Sequence, residues 1–288
     1  MLYKEYEPKT LEKLQAVELE ILSDFVDLCE KNQIDYFGCG GTLLGAVRHQ
    51  GFIPWDDDLD FGMTREDYDR FLSIADCAYD GKYRVINPSN DDAFQEMITK
   101  WYKVGTSFRD RDAIETGHKA GIGIDICCFD NVADDGKALR RQAMRAWTYG
   151  KLFILRKIAR PTLYAYGIKR KILAGILFWG HWFLRLTHIP PKFFYNKAIK
   201  AAMAYKEKET KRIAYLFDPT PYTSLLKRDD IYPTRFLEFE NIKVRFPKKP
   251  KAYLVTRYGE DYMTLPPADK RHNHPPIELD FGAEEADL

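Results

Sequence analysis

Four carboxylates fall within five positions, Asp56, Asp57, Asp58 and Asp60, and the last of them lies inside an apolar run, Leu59-Asp60-Phe61-Gly62-Met63, that reads as a strand. Residues two apart on a strand face the same side, so Asp58 and Asp60 are expected to point together, as are Asp56 and Asp58 if the strand begins early. Carboxylates gathered in this way repel one another, and a fold that holds them needs a compensating cation. Some 15 to 20 residues upstream, Gly40-Gly41-Thr42 joins a strand candidate, Ile34–Phe37, to a helix candidate, Thr42–Val47. Glycine lets backbone approach a ligand closely, and a helix N-terminus favours phosphate oxygens. Arg48 follows about two turns into that helix. Hard oxygen ligands beside a phosphate cradle suit Mg2+ or Mn2+ and point to metal-dependent phosphoryl or nucleotidyl transfer.

A third carboxylate is expected from a neighbouring strand. Asp125 sits in an otherwise apolar one, Gly121-Ile122-Gly123-Ile124-Asp125-Ile126-Cys127, where a lone acid is costly unless paired or metal-bound. It is the candidate third ligand or general base. Asp130, five residues on, reads as a cap or turn.

The remaining periodicity predicts a mixed α+β fold. Leu11, Leu14, Glu18, Ile21, Leu22, Phe25 and Leu28 trace one helical stripe, with Thr10 as its N-cap. Arg65–Ala78 reads as a helix, Tyr83–Ile86 and Met97–Val104 as strands, Phe236–Phe246 as a hairpin or strand, and Pro250–Tyr258 as a helix closed by Gly259. The tail from Pro266 reads as irregular. Three parts follow: a core over residues 1–135, a basic helical insertion over 136–206 placed after the third core strand, and a C-terminal part over 207–288 that completes the core.

The insertion is where charge becomes informative. The formal net charge is +1, from 44 Lys+Arg against 43 Asp+Glu, yet residues 136–206 hold 16 Lys/Arg and no acid at all. The rest of the chain therefore carries every acid and is strongly negative. Two or three helices are expected in this block, broken at Pro161 and at Pro190-Pro191. Phe178, Trp179, Trp182 and Phe183 lie between Lys169-Arg170-Lys171 and Arg185, the composition of a helix resting on an anionic membrane surface. The longest apolar stretch, Ile172–Leu184, has 13 residues, short of the ~20 that span a bilayer. Five cysteines without metal spacing read as reduced core residues, and Met1–Glu7 lacks the apolar run of a secretion signal, so a cytoplasmic location is expected.

The stretch Gly-Thr-Leu-Leu-Gly-Ala-Val-Arg-His followed by Gly-Phe-Ile-Pro-Trp-Asp-Asp-Asp-Leu-Asp, over residues 41–60, resembles the signature of LicD-type phosphotransferases. These include bacterial phosphocholine transferases and, more distantly, fukutin-related ribitol-phosphate transferases. The likeness extends to Gly123–Ile126, to Arg257–Met263 and to the Pro266–His274 tail. It implies a nucleotidyltransferase-like fold, a small mixed sheet with flanking helices. It implies a CDP-alcohol donor, most often CDP-choline, whose phospho-alcohol moves to a hydroxyl of a glycan or lipid-linked glycan with release of CMP. Teichoic acid, capsule or lipopolysaccharide precursors are acceptors of that kind, and such work would place the chain at the inner face of the plasma membrane. Under this likeness Asp58 and Asp60 would be the metal pair, Gly40, Gly41 and Thr42 would hold the donor phosphates, and Arg48 would neutralise them.

Further candidates are His49, next to Arg48; Asp56 and Asp57 in the cluster; Lys100, Lys103, Arg109 and Arg111, which follow or end a strand and could reach phosphate; and His272 in the tail, with His274 two residues on. Trp101 and Tyr102 could stack on a base or cage a trimethylammonium group, or pack in the core. Three other functions stay open at this point: a nucleotidyltransferase making an NDP-activated product, a ribitol- or glycerol-phosphate transferase, and a basic membrane- or nucleic-acid-binding module. The carboxylate cluster disfavours nucleic acid, which it would repel.

Overall fold

In a computed structural model, the structure describes residues 6–161, 167–271 and 273–282. Helix α1 (Pro8–Lys31) opens the chain. Its N-cap is Glu7, not Thr10, because Pro8 has the fixed φ and missing donor that suit a first helical position. The expected stripe is buried: Leu14, Ile21, Leu22, Phe25 and Leu28, with Glu18 among them. Strand β1 (Phe37–Gly38) leads into α2 (Gly40–His49), then β2 (Asp60–Thr64) and α3 (Arg65–Ile74), whose N-cap Thr64 accepts from the Asp67 N–H. α3 stops before the expected Ala78, and the chain turns through Tyr79 and Asp80 at φ 55 and 51. β3 (Tyr83–Ile86), β4 (Thr99–Lys103), β5 (Ser107–Arg109), α4 (Arg111–Thr116) and β6 (Gly123–Asn131) follow.

The main sheet runs β1-β2-β6-β4-β3, with β2 and β6 parallel and the other pairs on this path antiparallel. β6 is central, and its Ile124, Ile126, Cys127 and Phe129 are buried, as expected of a strand covered on both faces. Beneath the sheet lies an aromatic core. The Phe25 and Phe61 rings are 4.9 Å apart, and Trp101, wholly buried, lies 4.1 Å from Tyr83. Trp101 is thus a core residue. Asp130 is neither cap nor turn. It is buried and takes a two-pronged ion pair from Arg65 at 2.9 and 3.0 Å, the partner a buried carboxylate needs.

The basic block forms α5 (Gly136–Lys157), α6 (Gly167–Leu186) and α7 (Pro191–Ala202). α5 and α7 meet through small side chains, Ala143, Ala146, Ala198 and Ala202, in a second core shared with Val132 and Phe217. Buried Gln142 ties them to the sheet. Its amide donates to the carbonyls of Asn131 (3.0 Å) and Ala202 (2.8 Å) and accepts from the Ala133 N–H.

The chain then returns through β7 (Arg212–Ala214), which extends the sheet from β6, β8 (Leu225–Lys227), α8 (Arg228–Ile231), the hairpin β9 (Arg235–Phe239) and β10 (Ile242–Phe246), and α9 (Pro250–Tyr258). The tail is not wholly irregular: β11 (Glu278–Asp280) pairs antiparallel with β5. Both strands are only three residues long, too short for their polar-apolar-polar pattern to announce a pair, and Phe108 and Leu279 pack against the main core. All five cysteines are free thiols, and Cys77 is exposed rather than in the core.

Candidate active site

The acidic segment enters the sheet later than its pattern suggests. β2 starts at Asp60, so Asp56, Asp57 and Asp58 lie on the connection that precedes it. Asp60 stands opposite Asp125 in the parallel register of β2 and β6. Two carboxylates are thereby placed side by side on neighbouring strands, as expected for Asp60 and Asp125.

The Gly-Gly step is not a loop ahead of a helix but the first turn of α2 itself. Gly40 has φ +53, and a Cβ there would lie 2.5 Å from Asp60 Oδ2. A Cβ on Gly41 would lie 2.6 Å from Asp56 Oδ2. Two carboxylates therefore abut the positive end of α2, and only glycine leaves them room. The Gly40 N–H donates to the Tyr253 hydroxyl of α9 (3.0 Å), and buried Thr42 accepts from the Asp60 N–H (2.7 Å). Thr42 thus fastens α2 to β2. Arg48, at the far end of α2, donates to the Tyr262 carbonyl (3.1 Å) and to His49 Nε2 (2.9 Å) and lies over Trp55.

Charge around the cluster is finely divided. Lys100 on β4 pairs with Asp125 at 2.8 Å. Burial alone would push Asp58 up, but His274, Lys100 and Arg257 hold its carboxyl below the usual range. Burial and the neighbouring Asp58 and Asp125 push Asp60 up to about 8, and burial with Asp58 and Asp57 pushes Asp56 up as well. A cavity of about 150 Å3 opens among Asp57, Asp58, Lys100, Asp125, His274 and Glu18.

The sequence singles out His274 only as a partner of His272, and Glu18 only as one position in the α1 stripe. His274, half-exposed, places Nδ1 at 3.0 Å from Asp58, and with Asp57 and Asp58 it forms a set of donor atoms all within 4.8 Å of one another. Asp58, Asp60 and Asp125 do not close to that spacing, because Asp58 turns to His274 and Asp125 to Lys100. Asp57 is occupied structurally, accepting from the Tyr6 hydroxyl and from the His274 N–H. Glu18 of α1, given no site role by the sequence, also faces the cavity. It is 2% exposed, its Oε2 has no hydrogen-bond partner among the described residues, and burial followed by Asp58, Asp57 and Asp56 pushes its carboxyl well up. Its signal was visible as the one acid in the apolar stripe of α1. Arg257 of α9 is a third contributor. It bonds Ser224 (2.9 Å) and Asp218 (3.5 Å), and its charge helps hold Asp58 low and opposes the rise at Asp60.

The structure draws other candidates away from the cavity. Arg109 pairs with Glu278 (2.8 Å) and donates to the His118 carbonyl; Arg111 donates to Asp112 and to the Arg160 carbonyl; Lys103 pairs with Glu20. Each is held by a closer acid or carbonyl of its own. His272 lies outside the described residues. A buried orphan oxygen, several carboxyls lifted by mutual repulsion and a close Asp57/Asp58/His274 set form a donor group that fits a hard divalent cation.

Residues 33–149 match the family model described as LicD/FKTN/FKRP, nucleotidyltransferase domain. Over 130 residues the chain is 35% identical to the lipopolysaccharide cholinephosphotransferase LicD of Haemophilus influenzae, covering 45% of this chain and 48% of that protein. It is 53% identical over 55 residues to an uncharacterized protein of Rickettsia typhi, covering 19% and 18% of the two chains. It is 48% identical over 42 residues to the ribitol 5-phosphate transferase FKRP of Homo sapiens, covering 15% and 8%. The matches thus span about half the length of the first relative and less of the others.

Proposed function

We propose, from the premise that residues 33–149 are a LicD-type domain, that this chain transfers phosphocholine or a related phospho-alcohol from a CDP-alcohol to a hydroxyl of a cell-surface glycan precursor, releasing CMP. The observation that carries the reading is the convergence of Asp60 on Gly40 and of Asp56 on Gly41 in the first turn of α2, with Asp125 across from Asp60. The relatives named for cholinephosphate and ribitol 5-phosphate transfer support a phospho-alcohol as the group moved. We read the β1-β2-β6-β4-β3 sheet as nucleotidyltransferase-like.

Asp58, with Asp57 and His274, would hold Mg2+ or Mn2+, and Asp60 would join them once its proton is displaced, while Asp125 stays paired with Lys100. Such an ion, when bound, screens diphosphate charge and offsets charge developing on the leaving group. The chain's own residues do the rest. With the Gly40 N–H taken by Tyr253, the Gly41 and Thr42 N–H groups and the positive dipole end of α2 would meet the donor phosphates. Asp125, held by Lys100 at 2.8 Å, takes the proton as the acceptor oxygen attacks the phosphorus distal to cytidine. The bond from that phosphorus to the CMP oxygen breaks, and Lys100 and Arg257 supply the fixed positive charge nearby. A lipid-linked acceptor would place this work at the cytoplasmic face of the plasma membrane.

A thermal-shift screen of CDP-choline, CDP-ethanolamine, CDP-ribitol and CDP-glycerol with Mg2+ tests the donor class, because a ligand that binds only the folded state raises the apparent stability. A shift with at least one of them is expected; no shift with any would overturn the reading. The family description also favours a second reading, true nucleotidyl transfer, which predicts pyrophosphate release from a nucleoside triphosphate.

A further inference from the structure

We infer that the outward face of α6 is a bilayer-docking surface for anionic lipid. Ile168, Ile172, Ile176, Trp179, Phe183 and Leu186 recur every three or four residues, so they form one stripe, and each is between 58 and 75% exposed. Six large apolar side chains in a row left in water exceed what a soluble surface ordinarily carries. The opposite side of the helix is the packed one. His181 is buried with Nδ1 2.7 Å from the Leu155 carbonyl of α5, Gly180 faces Leu155, and Leu184 joins the second core. Phe178, one of the aromatics singled out from the sequence, lies under Arg160 and is only partly open. The stripe is therefore a face presented by a fixed helix.

Charge selects the occupant. Arg170 and Lys171 near one end of the stripe and Arg185 near the other are exposed, and residues 136–206 contain 16 Lys/Arg with no acid. The cleft between α5 and α7, of about 530 Å3, is lined by four more cations of this unit, Arg141, Arg145, Lys197 and Lys200. A second copy docked through α6 about a two-fold axis would bring this cationic unit against itself. An anionic lipid surface complements it and also takes the apolar stripe, with Trp179 and Trp182 at the headgroup level.

The helix lies in the interface and does not cross. Among the described residues no single helix is long and apolar enough to span a membrane. The bent pair that α6 makes with α7, at 107°, is held by Phe194, Ala198 and Ala202, which are buried in the second core. This inference stands independently of the proposed reaction, because lipid docking is measured without donor or acceptor.

Cosedimentation of the full chain with vesicles of phosphatidylcholine alone, or with phosphatidylglycerol added, is the test. Binding is expected to the anionic vesicles, to weaken with salt, and to fall tenfold or more for the Trp179→Ser, Phe183→Ser pair, with far-UV circular dichroism unchanged. Quenching of wild-type tryptophan fluorescence by brominated lipid gives the same answer without a variant, since Trp179 is open and Trp101 is buried. No pelleting and no quenching would overturn the inference. So would equal binding by a folded double variant, or a wild-type dimer that the double variant converts to monomer.

Discussion

The backbone N–H of His274 donates to both carboxylate oxygens of Asp57, at 2.8 and 2.9 Å, across 217 residues of chain. One aspartate thus clamps the C-terminal tail over the acidic cavity, and the same clamp brings the His274 ring to Asp58. Asp57→Ala should release the tail and weaken Mn2+ binding by about tenfold, the scale of lost outer-shell support at metal sites. Isothermal titration gives the affinity, and hydrogen exchange over residues 273–282 gives the release. Unchanged values in both would show that the tail is held by other means.

Glu18 predicts two effects of opposite sign. Its carboxyl is raised by burial and by the aspartates, so the folded state holds a proton that the unfolded state sheds once pH passes the ordinary glutamate value. In the metal-free protein it therefore costs stability at neutral pH and costs nothing below that value. Glu18→Gln should raise the melting temperature at pH 7.5, with the gain vanishing near pH 4, while Mn2+ affinity falls. A variant that is less stable at pH 7.5 would mean that Glu18 is satisfied in the folded state.

If Asp60 holds the cation as proposed, metal binding should depend on pH. With its carboxyl pushed up to about 8, metal-free protein keeps a proton there that a divalent cation must displace. Between the ordinary aspartate value and about 8 the folded state binds the extra proton, so metal-free stability falls as pH rises through that range. The thermal shift produced by Mn2+ should accordingly be larger at pH 8 than at pH 6. Equal shifts at the two pH values would contradict the assignment of Asp60 to the cation.

Gly40→Ala tests the close approach of α2 to β2. A left-handed conformation costs an alanine about 1–2 kcal/mol, and its Cβ must also displace Asp60 from 2.5 Å. Urea unfolding should report a loss of at least that size, together with weaker metal binding. Gly136→Ala, where a Cβ meets nothing within 4 Å, should leave both near wild type.

Much of this site could be read from residue order because the chemistry is local. A lone Asp125 in an apolar strand, and aspartates next to β2, announce themselves within a few residues. What stayed hidden depended on contacts across the chain. Arg48 sits two turns along α2, yet its guanidinium turns to Tyr262, 214 residues away. Arg109 reads as a phosphate ligand until β11 arrives beside β5 and supplies Glu278. Asp130 reads as a turn until Arg65 meets it. Glu18 was in view in the periodic pattern of α1, but periodicity alone treats it as one more buried position. The prolines marked the breaks in the basic block but left two or three helices open; which side of α6 faces outward needed the packing of His181 and Leu184.

The proposed reaction has Asp58 and its neighbours drive metal-dependent release of CMP from a CDP-alcohol. The most direct measurement is CMP formation from CDP-choline and the other CDP-alcohols with Mg2+ and a glycan acceptor, comparing wild type with Asp58→Asn. Wild type should release CMP with at least one donor and lose it on chelation, and Asp58→Asn should fall by two orders of magnitude or more. CMP release that survives both chelation and Asp58→Asn would contradict the account.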